Sequence, residues 1–378
     1  MRRSVVVVGL LALLSFGATL AQETPPVFCG DLSTADCSIR VASAQAMNTL
    51  ESAGFRFDLN VQSSNLPGMG FPFDLRLNGS GRYALDMAGL QALELAPELN
   101  ELPGWVESAL QAVQADATVV LHLPTALVDV HAATAAAFPS KVGFELRLAD
   151  GFAYFNLDKL AELDAGGGLP GGWMGIDLAG FYRRLLEQQL PFGTPGLGTG
   201  AASALADPAL TAAFTQIERL ADSSAGGQDQ AVFRTTSDLS RLLADPTQRE
   251  ALRAALLASL ERLALTVEDV DPLLEAYSGL LQGLVVETTE YIGLDDYYVH
   301  QLSLSLAWSP DLSALERLAG AAPVAASSVF SIRLNAQLSL DSFNTAAPEP
   351  APEEVFIIPL NQFMPAPPSA GVRRLMSV

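Results

Sequence analysis

Few residues of this chain have types and spacing suited to chemistry. Three histidines are present, His122, His131 and His300, and none belongs to a His-Glu-x-x-His pair or another metal-ligating spacing. There is no Gly-x-Ser-x-Gly elbow; Gly79-Ser80-Gly81 lies inside an alternating segment and lacks the strand-to-helix turn that exposes a nucleophile. The glycines at 166–172 carry no Lys-Ser/Thr and open no clear helix, so they do not read as a phosphate loop. The acidic pairs Asp295-Asp296 and Glu353-Glu354 read as turn and tail residues. Carboxylates are plentiful, so a secreted hydrolase stays open as the least supported reading, but no pair is nominated for acid–base work. The expectation is a non-enzyme with no catalytic residues, no metal site and no cofactor.

Cys29 and Cys37 are the two cysteines. A close isolated pair in an exported protein is most simply a disulfide, because a metal site would need further ligands and none lies nearby. Export is read from the first residues. Arg2 and Arg3 precede an apolar run from Val5 to Leu14, and the small residues Thr19 and Ala21 suit cleavage before Gln22. The alternative is an uncleaved anchor, but the run is short for a span. The chain of 378 residues has 21 basic and 42 acidic side chains, a net charge of −21. Losing Arg2 and Arg3 with the signal takes this to −23. Such a charge repels phosphate backbones and argues against nucleic acid as a partner. A hydrophobic content of 49% argues against disorder. No later stretch has the length of a membrane helix, so the mature protein is expected to be periplasmic or secreted, with no transmembrane span.

The elements that must position any site come from periodicity. Phe330, Ile332, Leu334, Ala336, Leu338 and Leu340 alternate with Ser331, Arg333, Asn335, Gln337, Ser339 and Asp341. Phe55, Phe57, Leu59 and Val61 alternate with Arg56, Asp58, Asn60 and Gln62. Period two gives each strand one apolar and one polar face, the mark of an antiparallel sheet covered on one side. Further strands are expected at 72–85, 118–123, 141–148, 152–157, 285–293 and 297–308. Asp150-Gly151 marks a tight hairpin, Asp295-Asp296 a second turn, and Gly79 and Gly81 a bulge or sharp bend. A helix is expected at 39–50. The stretch 180–284 reads as a helical insertion, with helix starts at Asp207-Pro208 and Asp245-Pro246, a leucine stripe over 252–263 and one strand at 232–236. His122 and His300 are expected on wet strand faces.

The order of these elements resembles a known family. Phe-Glu-Leu-Arg-Leu-Ala-Asp-Gly-Phe-Ala-Tyr-Phe at 144–155, followed by Gly-Trp-Met-Gly-Ile-Asp at 172–177, is similar to the mycobacterial periplasmic lipoproteins of the LppX/LprG type. So is the later order of strand, helix, hairpin and long last strand. The resemblance covers 40–355 as pattern and implies a LolA-like fold: an antiparallel half-barrel closed by helices around a lipid cavity. The family's lipidated cysteine is missing here, and the helical middle is longer.

The expected architecture is therefore α+β, a curved antiparallel half-barrel with a helical lid on its concave face. Its segments are a signal peptide at 1–21, an N-terminal disulfide segment at 22–38, the half-barrel at 39–345 and a Pro-rich tail at 346–378. The expected role is non-catalytic binding of a lipid or other hydrophobic ligand, as a carrier. Phe57, Leu59, Val61, Leu75, Leu146, Phe155, Leu304, Leu306, Ile332 and Leu334 are the expected lining. An extracytoplasmic scaffold with a filled core is the alternative.

Overall fold

The structure is a computed structural model that describes residues 27–64, 73–93, 102–122, 140–158, 171–189, 214–225, 227–241, 270–311 and 330–359, with isolated positions from 246 to 253. The signal segment 1–21, His131, Asp207-Pro208, Asp245, the leucine stripe and most of the glycine loop at 166–172 lie outside these residues.

One sheet holds all thirteen described strands. In the first half of the chain these are β1 (Ser52–Ser64), β2 (Phe73–Leu85), β3 (Val113–His122), β4 (Lys141–Ala149), β5 (Phe152–Asn156) and β6 (Trp173–Asp177). In the second half come β7 (Thr215–Arg219), β8 (Ser223–Ala225), β9 (Gln228–Asp238), β10 (Val285–Gly293), β11 (Val299–Trp308), β12 (Ser331–Asp341) and β13 (Val355–Ile357). Their order is β13-β6-β5-β4-β3-β2-β1-β12-β11-β10-β9-β7, with β8 on β9, so the sheet is not closed. Every pairing is antiparallel except β13 on β6. The helices are α1 (Thr34–Asn48), α2 (Met87–Gln91), α3 (Leu102–Gln111), α4 (Leu178–Gln189) and α5 (Val270–Leu281). The fold is α+β, a curved, open antiparallel half-barrel with helices on its apolar face.

Local chemistry explains the joints. Asp150 and Gly151 both take positive φ, 54° and 79°, as the tight β4–β5 turn requires. Gly79 and Gly81 bring β2 close to its neighbours: a Cβ on Gly81 would sit 1.9 Å from the Asp116 carbonyl oxygen, and one on Gly79 2.5 Å from that of Thr118. The ladders on both sides of β2 run without a register shift, so these glycines serve close approach and not a bulge. The bulge lies between β10 and β11, where His300 is the extra residue.

The segmentation differs from the expected one in three places. The stretch 180–284 holds strands β7, β8 and β9 between α4 and α5. β9 contains the strand expected at 232–236 and extends beyond it at both ends; its residues 230–233 are all buried, so alternation is lost there. β7 alternates over only five residues, too few to stand out in the sequence. Helix α1 starts at Thr34, five residues before its apolar stripe, because the Ser33 side chain caps it by accepting from the Asp36 amide. The Pro-rich tail joins the sheet as β13, taking its extended shape from the β6 edge.

Two clusters of buried side chains occupy opposite regions of the sheet. One joins Leu110, Ala153, Leu178, Ala179 and Tyr182 under α3 and α4. The other joins Ala231, Phe233 and Ile292, packed by Leu32 and Ile39 from the α1 region.

Candidate ligand-binding face

Cross-strand partners share a face of the sheet, so the register defines continuous rows. One row runs Leu306, Leu334, Val61, Leu75 across β11, β12, β1 and β2. The next runs Leu304, Ala336, Leu59, Leu77, Leu121, Val142. A third runs Leu302, Leu338, Phe57, Gly79, Val119, Phe144. Ile332 pairs with Trp308 on one side and Ser63 on the other. Leu146 lies opposite Phe155 and Ala117. All ten nominated side chains therefore stand on one face. Leu77, Leu302, Ala336 and Leu338 share it, and the same alternation would have found them.

The ten are not in one environment. Leu146 and Phe155 pack against the buried cluster under α3 and α4. Phe57, Leu59, Val61, Leu75, Leu304, Leu306, Ile332 and Leu334 are half-buried on the middle strands.

Toward β10, β9 and β7 the same rows change character. Leu306 is followed by Val286, Ser237 and Thr215, and Leu304 by Thr288, Thr235 and Ile217. The Thr215 and Ser237 hydroxyls share a hydrogen bond of 3.0 Å. Beside them the row from Leu302 continues to Glu290, Phe233 and Arg219. Helix α1 neutralises these charges. Its Arg40 pairs with Glu290 at 3.2 Å, and its Asp36 with Arg219 at 3.2 Å. The two guanidinium groups lie 5.9 and 5.0 Å from the ring of Phe233, which is fully buried. Local sequence carried no sign of this stack, since its members are far apart in the chain.

Other anchors hold helices to the face. The Trp308 indole donates to the Leu280 carbonyl at the end of α5, 2.6 Å away. Cys29 and Cys37 form a disulfide that ties the N-terminal segment to α1. Tyr83 stands opposite Ala53 and Ala115 on the same face, and burial pushes its phenol up to about 12. Burial also raises Tyr182, and it raises Tyr154 with a smaller contribution from Asp150.

The opposite face is polar and laced by cross-strand ion pairs: Arg76–Asp58 at 2.6 Å, Arg56–Asp341 at 2.9 Å and Arg82–Asp116 at 2.9 Å. Two open hollows of about 610 and 430 Å³ lie over this face, the larger between Arg56, Arg82, Asp116 and residues 345–347. His122 is on this side, 3.0 Å from the Asn78 amide nitrogen, as expected. His300 is not simply wet: as the bulge residue it lies 3.0 Å from the Asp296 carboxylate and edge-on to Phe343. Among the described residues, no three His, Cys, Asp or Glu side chains gather as a metal cage. No described helix is long and apolar enough to cross a membrane.

No protein-family model matches the chain, and no curated protein matches it in sequence. Solved structures do resemble it. LprF from Mycobacterium bovis is similar at 10% identity and a TM-score of 0.31, over 85% of this chain and 99% of that one. The lipoprotein LppX from Mycobacterium tuberculosis is similar at 10% identity and 0.29, over 83% and 97%. A LolA superfamily protein from Nitrosomonas europaea is similar at 8% identity and 0.17, over 83% and 94%. The resemblance read from the order of elements is thus met again among solved structures. It is a likeness of outline and says nothing of a ligand.

Proposed function

We propose that the chain is an exported, non-catalytic binding protein for a lipid or other hydrophobic ligand, seated across β11, β12, β1 and β2. One observation carries this reading. The apolar rows are continuous across these strands, yet their side chains are only half-buried, while the buried clusters lie to either side. An apolar surface left partly exposed between two packed regions is a place for an acyl chain. Burying a methylene stabilises by about 0.8 kcal/mol, so some ten carbons give about 8 kcal/mol gross. Association and ordering costs bring this to roughly micromolar affinity. The carrier role, the signal peptide cut near Ala21 and the extracytoplasmic location belong to the same proposal.

A fluorescent fatty acid tests it. Leu304→Trp and Leu334→Trp fill the face and should weaken binding about tenfold or more while the fold persists. In a filled core the same changes cost about 1–3 kcal/mol of stability and there is no ligand to displace. That second reading is favoured locally by Leu146 and Phe155, which already pack under α3 and α4. Wild-type protein that takes up no fatty acid and yields no lipid on organic extraction would sink the carrier reading.

A further inference from the structure

The sheet ends at β7 on one side and at β13 on the other, and the two ends are built differently. At β7, Arg219 pairs with Asp36 and Asp222, Glu218 pairs with Arg234, and Ile217 lies against Gly30. Charge and cover are the usual protection of a sheet edge. At β13 the side chains are Val355, Phe356 and Ile357, and the last two are 59% and 45% exposed. Phe356 pairs with Met174 and Ile357 with Gly175, so the two point to opposite faces and make both sides of the edge apolar.

Among the described residues, no strand pairs with the outer side of β13. The Ile358 amide donates to the Gly175 carbonyl at 2.9 Å. Amide direction alternates along a strand, so the Ile357 amide points away from β6. This edge is held in place and does not dangle. Arg147 of β4 binds Glu349 and donates to the Pro350 carbonyl at 2.9 Å, and the Glu349 amide donates to Asp116 at 2.7 Å. Next to the strand, Glu353 and Glu354 are exposed and make no ion pair among the described residues.

We propose that β13 is a docking edge for an extended segment of a partner protein, one that alternates apolar and basic residues and adds as a further strand. The outward amide of Ile357 supplies the pairing, Phe356 and Ile357 the apolar contact, and Glu353 with Glu354 the charge preference. A second copy of the chain is disfavoured, because two molecules of net charge −21 repel and each would bring the same acidic pair. Pro352 and Pro359 bound the window, so the added strand is short. The site stands without the ligand reading of the apolar face.

A labelled, acetylated Lys-Val-Lys-Val-Lys-Val amide, titrated into the full mature chain by fluorescence anisotropy at low salt, tests this. Saturable binding at about 10–100 μM is expected. Ile357→Pro removes the outward donor and leaves the Ile358–Gly175 bond, so it should weaken binding at least tenfold. Replacing Glu353 and Glu354 by Gln, which leaves the strand itself untouched, should weaken binding about threefold to tenfold and flatten its salt dependence. Absence of saturable binding overturns the proposal, as does binding indifferent to both changes. Concentration-dependent dimerisation that Ile357→Pro abolishes overturns it too, by giving the edge to a second copy.

Discussion

Arg147 on β4 holds Glu349, a residue 202 positions later in the chain. This pairing turns the Pro-rich segment into a strap across the polar face. The strap starts where the Asn344 amide donates to the Ser52 carbonyl at 2.8 Å, passes Asp116, Arg82 and Arg147, and ends as β13 on β6. Arg147 also stacks 4.6 Å above the ring of Trp173.

Arg147→Ala is expected to lower stability by about 1–2 kcal/mol, through lost charge-assisted bonds and lost stacking. Glu349 is half exposed, so Glu349→Ala should cost less, about 0.5–1 kcal/mol. Urea denaturation of both single variants and the double variant checks the coupling. Faster hydrogen exchange at Ile358 in either variant shows that the strap holds β13; unchanged exchange would refute it.

Two glycines should respond in opposite directions. Gly81→Ala places a methyl against the Asp116 carbonyl and within 2.8 Å of the Phe55 ring, forcing β2 from β3. A loss of about 1–3 kcal/mol is expected. Gly104 in α3 is exposed with open space where a Cβ would be, and Gly104→Ala should gain about 0.5–1 kcal/mol through helix propensity. Thermal melts on the two variants decide both.

Reducing the Cys29–Cys37 bridge, or replacing both residues by Ser, should cost about 2–3 kcal/mol by freeing an eight-residue separation in the unfolded chain. Intact mass after alkylation without reductant should show no modified thiol.

Alkaline titration should expose Tyr83. Its folded pKa, near 12, lies above the ordinary value of 10.0, so the folded state keeps a proton that the unfolded state has already lost. The stabilising contribution is whole below pH 10 and declines as pH rises toward 12, by up to about 1.4 kcal/mol per pH unit. Tyr154 and Tyr182 are shifted the same way and act in the same sense. Ultraviolet titration should show late-ionising phenols, and Tyr83→Phe should remove the latest of them.

Local sequence determined which side chains share a face. Side-chain direction in a strand follows from backbone geometry one residue at a time, so Phe57, Leu59 and Val61 had to stand together, and so did Ile332 and Leu334. The Asp150-Gly151 turn was legible because short-range chain geometry sets it, and the pairing of Cys29 with Cys37 because they are an isolated close pair in a chain read as exported. Only the tertiary structure decided that Leu146 and Phe155 pack against the buried cluster under α3 and α4 while Leu304 and Leu334 stand on the middle strands between the clusters. It alone placed α1 over Phe233 through Arg40 and Asp36, drew β7 and β8 from a stretch with helical periodicity, and tied Glu349 to Arg147. Those outcomes depend on which distant segment wins each partner, a competition settled by burial and charge across the whole chain, which no local window contains.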